Sequence, residues 1–156
     1  MLPMRTRFLK APLLLALALL VAAVAVAATP VFAQEPVAVI NEMQVSTAGT
    51  DWEFVEFYGA PGADLSALTL VGIESDSGPA MGTIDFVLDL EGQSIPEDGY
   101  WVAANTTATT TYGITPDLAI SENAFENSTA AYLLVSDFTG VQGGDLDTDN
   151  DGTLDS

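Results

Sequence analysis

The sequence predicts an all-β protein, an antiparallel β-sandwich preceded by a signal-peptide helix. Three observations predict it. After residue 33, short runs rich in β-branched and aromatic residues recur about every 12–16 residues, with Gly, Pro, Asp and Ser clusters between them. No segment after Ala33 carries an apolar period of 3.6 over the length of a helix. There is no cysteine, so stability has to come from an apolar core rather than from disulfides.

The elements follow in order. Arg5, Arg7 and Lys10 form a basic start, Leu13 to Ala28 an apolar run, and "TPVFAQE" a small-residue cleavage site with Val31 and Ala33 at −3 and −1. That order reads as a signal peptide over 1–33, cut before Gln34. The 16-residue apolar run falls short of the roughly 20 residues of a spanning helix, although a retained anchor is the alternative. Strands are expected at Val37–Met43, Trp52–Tyr58, Leu68–Glu74, Thr83–Leu90, Tyr100–Asn105 and Ala130–Asp137, joined by the turns "STAGTD", "GAPGADLS", "SDSGPAMG" and "EGQSIPEDG". The Thr-rich stretch "TTATTTYGITPD" reads as loop, with weak pairing as a sheet edge the alternative. Ile40, Phe54, Leu70, Val87, Val102 and Leu133 are the expected core. Three domains of the chain result: the signal peptide 1–33, a sandwich over 34–140, and an acidic loop or tail over 141–156.

The second strand holds a conflict. Strict alternation puts Glu56 on one face with Trp52, Phe54 and Tyr58. Either a bulge near Val55 exchanges the faces, or Glu56 is half-buried on backbone donors.

Charge narrows the chemistry. All three basic residues lie within the first 33 positions and all 22 Asp and Glu after them. From Gln34 onward the chain has no Lys, Arg or His. Such a surface repels phosphate backbones, so direct nucleic-acid binding is not expected, nor a membrane span once the signal is removed. Without His, Cys or Lys there is no Ser-His-Asp or Cys-His machinery, no P-loop lysine and no His/Cys zinc site. A buried carboxylate has to be protonated, hydrogen-bonded or metal-bound. No clustered acid pair with a base can be placed, and the chain is not expected to be an enzyme.

"VINEM", then "DWEFVEFYG", then "GADLSALTLVG" resembles the opening of bacterial lamin-tail domains. The matching residues are Ile40-Asn41-Glu42, Glu53-Phe54-Val55-Glu56, Asp64-Leu65-Ser66 and Thr69-Leu70, and "SIPEDGYWVAAN" is similar to the family's proline turn into its fifth strand. The resemblance covers residues 37 to 137. It implies an immunoglobulin-like sandwich serving as an accessory module of exported proteins, with no catalytic residue carried over. It also implies a closing strand after the acidic loop, which this chain lacks, so the sandwich is expected to miss its last strand.

The C-terminal "DLDTDNDGTLDS" holds five aspartates in residues 145–156. With Asp147 as position 1 of a calcium loop, Asp149 is position 3, Asp151 position 5 and Gly152 the turn glycine at 6. Thr153 offers a carbonyl at 7, and Asp155 stands at 9. That spacing collects hard oxygen ligands for Ca²⁺; the acid of position 12 would lie beyond Ser156. A disordered acidic tail is the bland alternative, because like charges at this density repel. Together these readings predict a secreted or cell-surface, non-catalytic interaction module for an unidentified protein or cell-surface partner, with calcium bound at Asp147, Asp149, Asp151, Thr153 and Asp155. The competing reading is the N-terminal fragment of a secreted metal-dependent nuclease or phosphatase that carries a lamin-tail domain.

Overall fold

Seven strands and one short helix follow one another in the computed structural model, which describes residues 36–45 and 49–155. They are β1 (Ala38–Gln44), β2 (Phe54–Gly59), β3 (Leu68–Glu74), β4 (Ile84–Asp89), β5 (Tyr100–Ala104), α1 (Thr106–Tyr112), β6 (Leu118–Ala119) and β7 (Ala130–Ser136). The signal peptide expected over 1–33 lies outside the described residues. Among the described residues no helix is long and apolar enough to cross a membrane.

The strands form two sheets, one in the order β1-β2-β5-β6 and one in the order β4-β3-β7. The protein is thus an all-β sandwich, with each expected strand present to within two residues at either end. The pairings are antiparallel except β5 with β6, which is parallel. Val55, Phe57, Trp101 and Ala103 from the first sheet meet Leu70, Leu88 and Leu134 from the second in a single apolar cluster. Phe57 and Trp101 stack with ring centroids 5.3 Å apart and planes nearly parallel. Each such fully buried large side chain contributes about 1.5–3 kcal/mol. Leu65, Leu90, Ile95 and Phe125 close the ends of this core from the loops.

The second strand resolves differently from the expectation. Its inward face is the odd one, with Glu53, Val55 and Phe57 all at 0 % exposure. Phe54, expected in the core, lies on the outer face with Glu56 and Tyr58. The bulge is in β1 rather than near Val55: Ile40 pairs with Phe57 and Glu42 with Glu56, so Asn41 is the extra residue. Its amide donates to Glu56 Oε1 at 2.7 Å. The bulge lets Ile40 face inward and Glu42 outward although both are even. Of the other expected core residues, Leu70 is buried and Ile40 packs against the core. Val102 stands on the outer face opposite Glu56. Val87 belongs to a second cluster on the far side of β3. Leu133 is 44 % exposed on that same side, because its neighbours Tyr132 and Leu134 point inward.

Glu53 dictates the choice of face. Its Oε1 accepts from the Phe125 N–H at 3.0 Å, and its Oε2 from the Ala124 N–H at 2.9 Å and the Asn105 amide at 3.1 Å. Three donors replace the missing cation, which makes burial of a carboxylate tolerable. Asn105 is itself fully buried and also donates to the Asp51 carbonyl at 3.0 Å.

The same Asn105 starts α1, where a loop is expected. Its Oδ1 accepts from the Ala108 N–H at 2.8 Å, an N-cap. Gly113, with φ 69°, ends the helix in the left-handed conformation and donates to the Thr109 carbonyl. Thr109 and Thr110 return their hydroxyls to the carbonyls four residues earlier. Threonine is a weak helix former; here the two caps and the burial of Ala108 outweigh it.

The segment after β7 is not a detached tail. Phe138 and Leu146 join Val71, Ile73 and Ile84 in the second cluster, covering the outer face of the β4-β3-β7 sheet. Backbone bonds hold it there: Ile84 N–H to Gly144 O at 2.8 Å, Gly143 N–H to Ile84 O at 2.7 Å, and Leu146 N–H to Gly82 O at 3.0 Å. Asp145 forms an antiparallel bridge with Thr83.

Candidate metal centre

Docking of Leu146 buries the next residue, Asp147, which is 1 % exposed. With no basic side chain at hand, its carboxylate turns on the loop's own backbone. Oδ1 accepts from the Asp151 N–H at 3.1 Å and Oδ2 from the Gly152 N–H at 2.8 Å. Gly152 reaches this position with φ 85°, a conformation that costs glycine nothing and other residues much. Asp149 Oδ1 also accepts from the Asp151 N–H, at 3.2 Å, and Asp151 Oδ1 from the Thr153 N–H at 2.8 Å.

The turn gathers Asp147, Asp149 and Asp151 so that one carboxylate oxygen from each lies within 4.8 Å of the others. Each oxygen has two lone pairs, so a hydrogen bond from the loop leaves capacity for a cation. Three converging carboxylates are hard ligands of the kind that hold Ca²⁺. Asp155 is turned to the other side of the loop. It accepts from the Thr148 N–H at 2.9 Å and closely from the Thr148 hydroxyl. Those two bonds, the hydroxyl's first, hold its carboxyl below the usual carboxylate range. Thr153 sits beside Asp151 through its N–H. Of the five expected ligands, the fold therefore brings three carboxylates together and places Asp155 against Thr148.

Gly82 makes the docking possible. It has φ 83°, and a Cβ there would stand 2.5 Å from Asp147 Cβ and 2.9 Å from Asp147 N. Nothing in the sequence around Asp147 points to this glycine, because the contact joins positions 65 apart.

A second acidic group was not legible in the sequence. Glu74 at the end of β3, Asp85 in β4 and Glu126 before β7 bring one oxygen each within 4.8 Å. Asp85 and Glu126 line a polar cavity of about 440 Å³ with Tyr132 and Gln142. Burial raises the Asp85 carboxyl, and Glu74 and Glu126 raise it further. Glu74 accepts from the Asp76 N–H at 2.7 Å and from the Ser128 hydroxyl, and Glu126 Oε1 from the Asn127 N–H at 3.1 Å. Local donors thus hold two of these three carboxylates.

Comparison with protein-family models, with curated proteins and with solved structures gives no match.

Proposed function

We propose that this protein is an exported, non-catalytic β-sandwich module of the lamin-tail kind, and that its C-terminal loop binds Ca²⁺ through Asp147, Asp149 and Asp151. The observation that carries the reading is the grouping of those three carboxylates on a loop docked to the sheet, one of them buried, in a region without a single cationic side chain. A divalent ion relieves their mutual repulsion. The Thr153 carbonyl is a further ligand, and Asp155 joins the ion by leaving Thr148. The lamin-tail reading is supported by the motif residues falling at structural positions. Asp64 caps a turn by accepting from the Ser66 N–H at 2.9 Å, Leu65 and Leu70 are core, and Glu53 anchors the loop before β7.

With few protein ligands, the affinity falls at the weak end, on the order of 10⁻⁴–10⁻³ M as in extracellular modules. Calcium calorimetry on the protein purified after export, and on its Asp149→Ala/Asp151→Ala variant, tests this. Heat of binding should vanish in the variant. Equal uptake by both proteins would move calcium to another part of the acidic surface.

A further inference from the structure

We propose that the outer face of the β1-β2-β5 sheet is a docking surface for an extended, arginine-bearing segment of a partner protein. The proposal is independent of the calcium loop. Strand register lays this face out in rows. One row is Val39, Tyr58 and Tyr100, and the next is Glu42, Glu56 and Val102. Beyond it come Gln44 and Phe54, with Tyr112 of α1 standing over them, 5.7 Å from the Phe54 ring and 5.9 Å from the Trp52 ring. Tyr58 and Tyr100 lie 5.4 Å apart in the first row. Tyr58, Tyr100 and Tyr112 are 51 %, 40 % and 45 % exposed. Two aromatic clusters therefore flank a pair of glutamates, and a groove of about 290 Å³ runs between Glu42, Phe54, Glu56, Val102 and Tyr112.

Charge selects the occupant. Glu42 and Glu56 are direct cross-strand partners, an arrangement that is unfavourable for like charges. Asn41 donates to one oxygen of Glu56, but an amide does not neutralise it. Among the described residues there is no Lys, Arg or His, so none of them supplies a balancing cation. Arginine fits better than lysine. Its planar guanidinium can lie on an aromatic ring while its N–H fork engages carboxylate oxygens, and it sheds water more readily than an ammonium. The spacing fits an extended segment too. Residues 54, 56 and 58 repeat about every 6.6 Å along β2, the period of alternate side chains in any strand. A partner with arginine at alternate positions presents one guanidinium to each row.

The test uses a synthetic peptide with arginine alternating with serine over seven residues, its lysine counterpart, and titration calorimetry at low salt with the protein purified after export. The arginine peptide should bind more tightly than the lysine peptide. Glu42→Gln/Glu56→Gln should weaken it by about tenfold or more, since charge-assisted contacts are lost. Tyr58→Ala/Tyr112→Ala should weaken the arginine peptide while leaving the lysine peptide nearly unaffected, which separates ring stacking from bulk charge. Glu91→Gln/Glu97→Gln, which removes two exposed carboxylates elsewhere, should change neither. Glu42, Tyr58, Tyr112, Glu91 and Glu97 are exposed and Glu56 is half-buried on the outer face, and circular dichroism on each variant should match the parent. Equal binding of both peptides, or equal losses in the Glu42/Glu56 and Glu91/Glu97 variants, would reduce the effect to diffuse attraction by an acidic surface and overturn the proposal.

Discussion

Replacing Glu53 by Gln exchanges one oxygen for an NH₂ at the centre of the donor cluster. The least damaging orientation keeps the amide oxygen at the Oε2 position, where it still accepts from Ala124 N–H and the Asn105 amide. The new NH₂ then faces the Phe125 N–H, a donor against a donor, at a residue only 3 % exposed. Leaving one buried N–H without an acceptor costs about 1–3 kcal/mol. The two surviving bonds lose their charge assistance, and relief from burying a charge offsets part of that. Glu53→Gln is therefore expected to cost about 1–3 kcal/mol. Glu53→Ala orphans all three donors and opens a cavity, for about 3–5 kcal/mol. Against a total stability of about 5–15 kcal/mol for a domain, the alanine variant sits near the edge of folding. Urea denaturation followed by tryptophan fluorescence measures both. With a slope of about 1–3 kcal/mol per M, a 2 kcal/mol loss moves the midpoint by roughly 1 M. Glu53→Gln and Asn105→Ala should also couple by about 0.5–3 kcal/mol in a double-mutant cycle, because they share a hydrogen bond. A Glu53→Gln midpoint indistinguishable from the parent would refute the claim that this carboxylate is held by its three donors.

Further expectations concern the loop and the second acidic group. Gly82→Ala forces a methyl group onto Asp147 and strains a left-handed backbone; a loss of about 1–3 kcal/mol is expected, with weakened calcium uptake, and normal uptake would show that docking is not needed. Calcium at 10 mM should stabilise the folded protein by about 1.4 kcal/mol if the dissociation constant is near 1 mM, read as a rise in melting temperature that the Asp149→Ala/Asp151→Ala variant lacks. The lowered Asp155 carboxyl contributes stability that is complete above the ordinary value of 3.8 and lost as pH falls through its folded value; an acid titration of that carboxyl by NMR should place its midpoint lower in the parent than in Thr148→Ala. Asp85 has the opposite sign: its raised carboxyl contributes stability fully present below 3.8 and lost as pH rises through its folded value. Asp85→Asn should therefore stabilise the protein at pH 7 by about 0.2–1 kcal/mol after solvent screening, a gain that should disappear near pH 3.

Six of the seven strands are properties of local sequence, because short β-branched and aromatic runs between Gly and Pro turns have few other solutions; β6, two residues long, is not expected from it and exists only through its parallel pairing with β5. The absence of any cation after residue 10 and the spacing of Asp147, Asp149 and Asp151 are equally plain in the chain itself. Helix α1 is not legible in the sequence, because its β-branched threonines are weak helix formers; the Asn105 and Gly113 caps and the burial of Ala108 emerge only in the folded chain. Which face of β2 turns inward was not decided locally. Three aromatic residues favoured the even face, and Glu53 is tolerable inside only because Asn105, Ala124 and Phe125 arrive from distant segments with their donors. One extra residue in β1, Asn41, then settles the register of its neighbour. The acidic loop shows the same division. Its ligand spacing is a local pattern, whereas its attachment depends on Ile84, Gly82 and Leu146 meeting across the outer face of β3. Burial, and the donors that make burial of a charge bearable, are long-range quantities, and only the folded chain determines them.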